Sequence, residues 1–174
     1  IRAFEKDVDA VRCMLAILDG GHSHNLILVP DTNSLLISPD PSQYRCVAGQ
    51  DGFTFLLLPT VLGELDHLKI LHRNEGVREK SQKVIQRIKG WRKQGSLHTG
   101  VTVDKTIIVK ASHKEPNMSD TLSWLDENIA DDRLVASVLS VQTHSSDSEI
   151  VLVTGDINLQ NKAEAAFIET RELP

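Results

Sequence analysis

The chain has 174 residues, 40% hydrophobic side chains and a formal net charge of −5, a composition typical of an ordinary globular domain with its own core. Aromatic side chains make up only 4%, which argues against recognition of bases on an aromatic sheet. Cys13 and Cys46 are the only cysteines and have no paired spacing, so we expect neither a zinc site nor a disulfide. There is no apolar run of membrane-spanning length and no signal-peptide pattern. An intracellular location, cytoplasmic or nuclear, is therefore favoured over secretion.

We expect a single domain over residues 1–174, with an N-terminal helix and linker in 1–25 and the main fold in 26–174. Apolar side chains within residues 3–18 follow the spacing of one helical face; they are Val8, Val11, Leu15 and Leu18. The sequence begins with Ile1 rather than Met, which predicts that it is a fragment of a longer protein; an attached domain or a protein partner outside the fragment is a candidate partner besides RNA.

The rest of the chain alternates continuous apolar runs with helical patterns. The predicted strands are LILV at 26–29, FTFLLLP at 53–59, TIIVK at 106–110, IVLVTGD at 150–156 and a last short one in IETREL. Four helices are predicted: one that starts at Pro59, one over 77–91, one that starts at the Asp131-Asp132 pair, and one that includes NLQNKAEAAF. Runs that do not alternate with polar residues indicate strands buried on both faces. We therefore predict a three-layer α/β/α fold with a central parallel sheet, elaborated at 95–128 by a polar segment that covers a cleft or binds a partner.

Acidic residues follow or face the C-terminal ends of these predicted strands. Asp31 comes directly after the first strand, Asp156 after the fourth, and Glu64 one turn into the helix after the second. Asp131 and Asp132 begin the helix that precedes the fourth strand, and only Arg133 adds a positive charge beside them. Parallel strands bring their C-terminal ends to one edge, so we expect an acidic cleft there. Clustered carboxylates repel one another unless a divalent cation neutralises them, and their hard oxygen atoms favour Mg²⁺ or Mn²⁺.

Each acidic residue also has a simpler explanation. Asp31, Asp132 and Asp156 each stand where an aspartate caps a helix N-terminus, and Glu64 alone reads as an exposed helix residue. Helix caps do not, however, require four segments to meet at one edge. Asn33 and Thr154 are either ordinary turn and strand residues or groups that orient the carboxylates.

Charge is distributed unevenly along the chain. Residues 69–93 hold nine Lys or Arg against two Glu, a local charge of +7, which leaves 10 of 19 basic and 22 of 24 acidic residues elsewhere. This segment is either a solvated helix face or a nucleic-acid-binding surface. The candidate RNA contacts within it are Lys69, Arg73, Lys80, Lys83 and Arg87.

Four segments together resemble the acidic motifs of PIN domains; in chain order they are VPDTNSLL, LPTVLGELDHLK, DDRLVASVL and VTGDINLQNKAEAA. The resemblance is to the larger PIN domains of RNA-processing and surveillance nucleases and of bacterial proteins that join a PIN domain to a PhoH-type ATPase. It implies an α/β nuclease that cuts single-stranded RNA with Mg²⁺ or Mn²⁺ and leaves a 5′-phosphate. By position it implies Asp31, Glu64, Asp132 and Asp156 as catalytic, metal-binding acids, with Asp131 as the other possibility for the third.

The leading hypothesis is therefore a metal-dependent endoribonuclease. The alternative is a PIN-fold interaction module in an RNA-processing complex, with weak or no cleavage. Other Mg²⁺-dependent α/β enzymes fit less well: haloacid-dehalogenase-type phosphatases need an acid where Asn33 stands, receiver domains need a lysine after a later strand, and a Rossmann site needs glycines in the first turn.

Overall fold

The computed structural model describes residues 25–174, so the helix predicted at 3–18 and its linker lie outside the described residues. The strands are β1 Asn25–Pro30, β2 Thr54–Leu57, β3 Val101–Val103, β4 Ile107–Ala111, β5 Ser148–Val153 and β6 Glu169–Arg171. The α-helices are α1 Thr32–Ile37, α2 Arg45–Ala48, α3 Pro59–Leu71, α4 Glu75–Gln94, α5 Ala130–His144 and α6 Ile157–Ala165. Short 3₁₀ turns occupy Pro41–Tyr44 and Met118–Asp120.

The strands form one sheet in the order β3-β4-β2-β1-β5-β6, flanked by helices, and all neighbours except β3 and β4 run parallel. This confirms the predicted three-layer α/β/α architecture. The chain moves from β1 to β2 and β4 on one side, and later returns to β5 and β6 on the other. The switch therefore lies between β1 and β5, at the kind of crevice where open α/β sheets bind ligands.

Strand β3 is a difference from the prediction, which had only a break before residue 106. Val101–Val103 pairs antiparallel with β4, so the sheet is mixed rather than wholly parallel. The hairpin turns through the three residues between Val103 and Ile107, and the first two of them, Asp104 and Lys105, have positive φ. Lysine is uncommon in that conformation, and a strand of three residues shows almost no alternation, so the hairpin leaves little trace in the sequence.

Helices α3 and α4 form an antiparallel pair beside the sheet edge. Pro59 opens α3, where its missing amide donor costs no hydrogen bond. The side chain of Asn74 accepts a hydrogen bond from the Gly76 amide at 2.9 Å and so caps α4. The hydroxyl of buried Ser81 donates to the Leu65 carbonyl at 2.9 Å, fixing one helix against the other.

The core fills both faces of the central strands. Its fully buried side chains include Leu28, Val29, Phe55, Leu57 and Leu152. Tyr44 packs edge-on against Phe55 with ring centroids 4.8 Å apart, and its hydroxyl donates to the Ser38 carbonyl at 3.0 Å. Burial, followed by the charge of Asp31, raises the pKa of Tyr44. Within residues 25–174 we find no helix with the length and apolarity needed to cross a bilayer.

Candidate active site

Asp31 stands at the C-terminal end of the central strand. Its amide donates to the Val153 carbonyl at 3.0 Å, which extends the pairing of β1 with β5 by one residue. One carboxylate oxygen, Oδ1, accepts a hydrogen bond from the Ser34 amide at 2.6 Å, so Asp31 is the N-cap of α1. The residue is only 4% exposed. Strand end and helix cap together fix the direction of this carboxylate.

Thr154 joins the first and last acids of the predicted site. Its hydroxyl donates to Oδ2 of Asp31 at 2.5 Å and accepts a hydrogen bond from the Asp156 amide at 3.0 Å. Thr154 is fully buried. A single hydroxyl therefore holds Asp31 and the backbone of Asp156 in a fixed relation.

Asp156 is the N-cap of α6. Its Oδ1 accepts hydrogen bonds from the amides of Asn158 and Leu159, at 2.8 and 3.2 Å. The capping explanation considered for Asp31 and Asp156 is thus correct, and both residues nevertheless line the same small cavity. Capping and a role in a site are compatible, because each carboxylate has lone pairs beyond those that the helix amides use.

Glu64 reaches the same edge from α3. Glu64 is an exposed residue, and its Oε2 accepts a hydrogen bond from the Thr32 hydroxyl at 2.5 Å. Thr32 is the first residue of α1, so this contact links the helix after β2 to the helix after β1. Asn33 is exposed and also lines the cavity.

Neighbouring residues Asp131 and Asp132 have different surroundings. Asp132 lies in the first turn of α5, two residues beyond its first, and not at the N-cap, which is Ile129. Its side chain is 5% exposed; Oδ1 accepts from the Lys162 ammonium at 2.6 Å and Oδ2 from the Asp126 amide at 2.9 Å. The side chain of Asp131 is 44% exposed, with Oδ2 3.8 Å from Lys162.

The acids meet around a cavity of about 50 Å³. Its acidic and amide side chains are Asp31, Asn33, Glu64, Asp131 and Asp156, and Asp132 is not among its lining residues. A water molecule needs about 10–15 Å³ of such space, so the cavity has room for a cation and a few waters. The expectation that only Arg133 adds positive charge near the acids is wrong, because Lys162 of the last motif reaches the pair on α5.

The oxygen atoms that line the cavity suit a hard divalent cation, although the carboxylates are not clustered tightly enough to enclose one. In the described range 25–174 no three His, Cys, Asp or Glu side chains are grouped closely enough to hold one ion. The cavity wall nevertheless contains oxygen donors and no Lys, Arg, His or Cys. The buried hydroxyl of Thr60, which also lines it, has no hydrogen-bond partner among the described residues. The oxygen ligands and the unpartnered hydroxyl beside them fit a hydrated Mg²⁺- or Mn²⁺-sized ion, since Mg²⁺ keeps several of its waters and so does not need every carboxylate as a direct ligand.

The five basic residues proposed from the sequence as RNA contacts do not line this cavity. Lys69 pairs with Asp66 at 3.2 Å and Arg87 with Asp40 at 2.8 Å. Burial raises the pKa of Asp40, but hydrogen bonds from Arg87 and Ser42 outweigh it and hold that pKa below its usual value. Lys80 and Lys83 are exposed on α4, and Arg73 is exposed in the connection between α3 and α4.

Three residues of the site were not predicted from the sequence: Thr32, Thr60 and Lys162. Thr32 lies between Asp31 and Asn33, so its position within the first acidic motif could have indicated that it belongs to the site. Thr60 directly follows Pro59 at the start of α3. Lys162 lies one turn beyond Asn158 on α6, but its partner Asp132 belongs to another helix, and the sequence has no marker of that pairing.

A family model described as a PIN domain matches residues 28–173, which covers all of the motifs above. The match spans the elements from the central strand to the last strand. A search of curated proteins gives no match for this chain. PIN domains are generally metal-dependent nucleases, so the fold that carries these acids is a nuclease fold.

Proposed function

We propose that this chain, which belongs to the PIN domain family, is a divalent-metal-dependent endoribonuclease that hydrolyses phosphodiester bonds of single-stranded RNA. The observation that carries the proposal is the convergence of Asp31, Glu64, Asp131 and Asp156 on one cavity at the switch point of the sheet. These side chains come from four separate segments, and two of them are joined through the buried hydroxyl of Thr154.

The four carboxylates would hold Mg²⁺ or Mn²⁺. When bound, such an ion activates water and neutralises charge at a scissile phosphate. Thr154 orients Asp31 and the start of α6, and Thr32 orients Glu64. These contacts orient Asp31 and Glu64 before an ion binds, as an electrostatically preorganised site requires.

For the third acid we propose Asp131 in place of Asp132. Asp131 lines the cavity and its side chain is 44% exposed. Asp132 does not line the cavity, and its charge is already balanced by the Lys162 ammonium, 2.6 Å from Oδ1. A buried aspartate already neutralised by a lysine is a poor ligand, because binding an ion would require breaking that pair.

The test is cleavage of end-labelled single-stranded RNA with Mn²⁺, with Mg²⁺ and with EDTA. Asp156→Asn is compared with wild type, since asparagine caps a helix as well as aspartate does and the fold is kept. Asp147→Asn is the matched control, because Asp147 is an exposed aspartate next to the opposite end of β5.

We expect cleavage to require the metal, to leave 5′-phosphate ends, and to fall on the order of 100-fold in Asp156→Asn but not in Asp147→Asn. Cleavage that survives EDTA, or an Asp156→Asn variant as active as wild type, contradicts the proposal. If wild type leaves RNA intact, the dispersed carboxylates among the described residues favour the second candidate, a PIN-fold interaction module in an RNA-processing complex.

A further inference from the structure

A second, larger depression adjoins the acidic cavity. It has a volume of about 690 Å³, within the roughly 300–1,000 Å³ typical of small-molecule sites. It shares the lining residues Thr60, Glu64 and Ala130 with the acidic cavity, so the two lie side by side. We call it the side groove. Helix α3 forms one wall, and the polar segment that precedes α5 forms the other, through residues such as Glu115 and Glu127.

Gly63 keeps the side groove open. It lies in the middle of α3, is exposed and lines the groove. A Cβ atom added there would meet no atom within 4 Å. A side chain at position 63 would therefore begin in open space at the groove, with no clash at its Cβ atom.

The polar groups of the groove suit a nucleoside and one phosphate. The unpartnered hydroxyl of Thr60 lies where the groove meets the acidic cavity. Arg133 contributes a guanidinium, held by a 2.9 Å hydrogen bond to the Glu127 carbonyl. The Glu115 and Glu127 carboxylates repel phosphate but accept hydrogen bonds from ribose hydroxyls and base amino groups.

We propose that the side groove binds one ribonucleotide of a single-stranded RNA, directly beside the phosphate that lies in the acidic cavity. The proposal rests on the proposed nuclease function and adds to it the path of the strand. That path runs between α3 and the 115–128 segment, and not along the basic face of α4. The ribose hydroxyl facing carboxylates in the groove makes the site selective for RNA over DNA.

The test compares Gly63→Leu with Gly90→Leu. Gly90 is the matched control, since it also lies within a helix, has no atom within 4 Å of an added Cβ, and is not part of either wall. Three quantities are measured: anisotropy of a short fluorescent RNA with EDTA, cleavage of that RNA with Mn²⁺, and hydrolysis of bis(p-nitrophenyl) phosphate with Mn²⁺. The small diester has neither a ribose nor a base, so it tests the acidic cavity without the nucleotide contacts proposed for the groove.

We expect Gly63→Leu to weaken RNA binding about 10-fold or more, the factor expected when one hydrogen bond to a charged group is lost. RNA cleavage by Gly63→Leu falls by a larger factor than its hydrolysis of the small diester, whereas all three quantities stay near wild type in Gly90→Leu. The same oligonucleotide made as DNA binds wild type more weakly than RNA.

The proposal that the side groove binds a nucleotide is overturned if Gly63→Leu binds and cleaves RNA like wild type. It is also overturned if Gly90→Leu loses as much RNA binding as Gly63→Leu, or if wild type binds no RNA. Equal affinity for DNA and RNA overturns the ribose contact. A failure of the nuclease proposal is recognised separately: wild type then hydrolyses neither RNA nor the small diester, while selective loss of RNA binding in Gly63→Leu still supports the groove.

Discussion

Replacing Lys162 by methionine is expected to destabilise the fold through the buried carboxylate that it leaves behind. Asp132 has a side chain only 5% exposed and lies 2.6 Å from Lys162, which is 29% exposed. Removing one partner of a fully buried ion pair costs about 3–5 kcal/mol. Because Lys162 is partly in water and Asp132 keeps the hydrogen bond from the Asp126 amide, we expect about 2–4 kcal/mol.

The two neighbouring aspartates give the matched comparison. Asp132→Asn leaves the positive charge instead, and Lys162 can turn to water or to Asp131, 3.8 Å away, so we expect a loss of only about 1–2 kcal/mol. Asp131→Asn removes a partly exposed charge and should change the free energy of unfolding by less than about 0.5 kcal/mol. For metal-dependent cleavage the order is reversed, and Asp131→Asn is the most damaging of the three.

The measurement is urea unfolding followed by circular dichroism in EDTA, repeated as thermal unfolding. For a domain of this size 1 kcal/mol corresponds to roughly 2–4 °C, so Lys162→Met should melt roughly 4–16 °C below wild type. Wild-type stability in Lys162→Met would refute the buried-charge argument. An Asp131→Asn variant less stable than Asp132→Asn would show that the roles given to the two aspartates are interchanged.

Three further predictions concern single contacts. Thr154→Val should lower the free energy of unfolding by about 1.5–3 kcal/mol, because a carboxylate of buried Asp31 loses its hydroxyl donor; urea unfolding checks this, and a change under about 0.5 kcal/mol contradicts it. Because the pKa of Tyr44 is raised, above pH 10 the unfolded chain releases a proton that the folded chain keeps. The free energy of unfolding should therefore fall there by up to about 1.4 kcal/mol per pH unit. A Tyr44→Phe variant whose stability falls with the same slope above pH 10 would refute this prediction. Arg87→Gln should cost less than about 1 kcal/mol at neutral pH, since the pair with Asp40 is 40% exposed on each side. Because the pKa of Asp40 is lowered, the pair stabilises the fold above the ordinary value of 3.8, and this contribution is lost as the pH falls through the lowered pKa. The free energies of unfolding of wild type and Arg87→Gln, measured as the pH is lowered, should therefore become equal.

Local sequence patterns determined most of the elements. A buried parallel strand is a continuous apolar run, and an aspartate directly after such a run caps the next helix, so Asp31 and Asp156 could be placed at the sheet edge from sequence alone. Strand β3 could not be found in this way, because three residues are too few to show the alternation of a strand and lysine is not typical of the turn position that Lys105 occupies.

Contacts across the chain were decided only by the tertiary structure. The hydroxyl of Thr154 reaches Asp31 across 123 residues because β1 and β5 are neighbours in the sheet, an order that no local pattern specifies. Asp131 and Asp132 look equivalent in the sequence. Successive residues on a helix point about 100° apart, however, so the packing of α5 against α6 decides that one faces the cavity and the other faces Lys162.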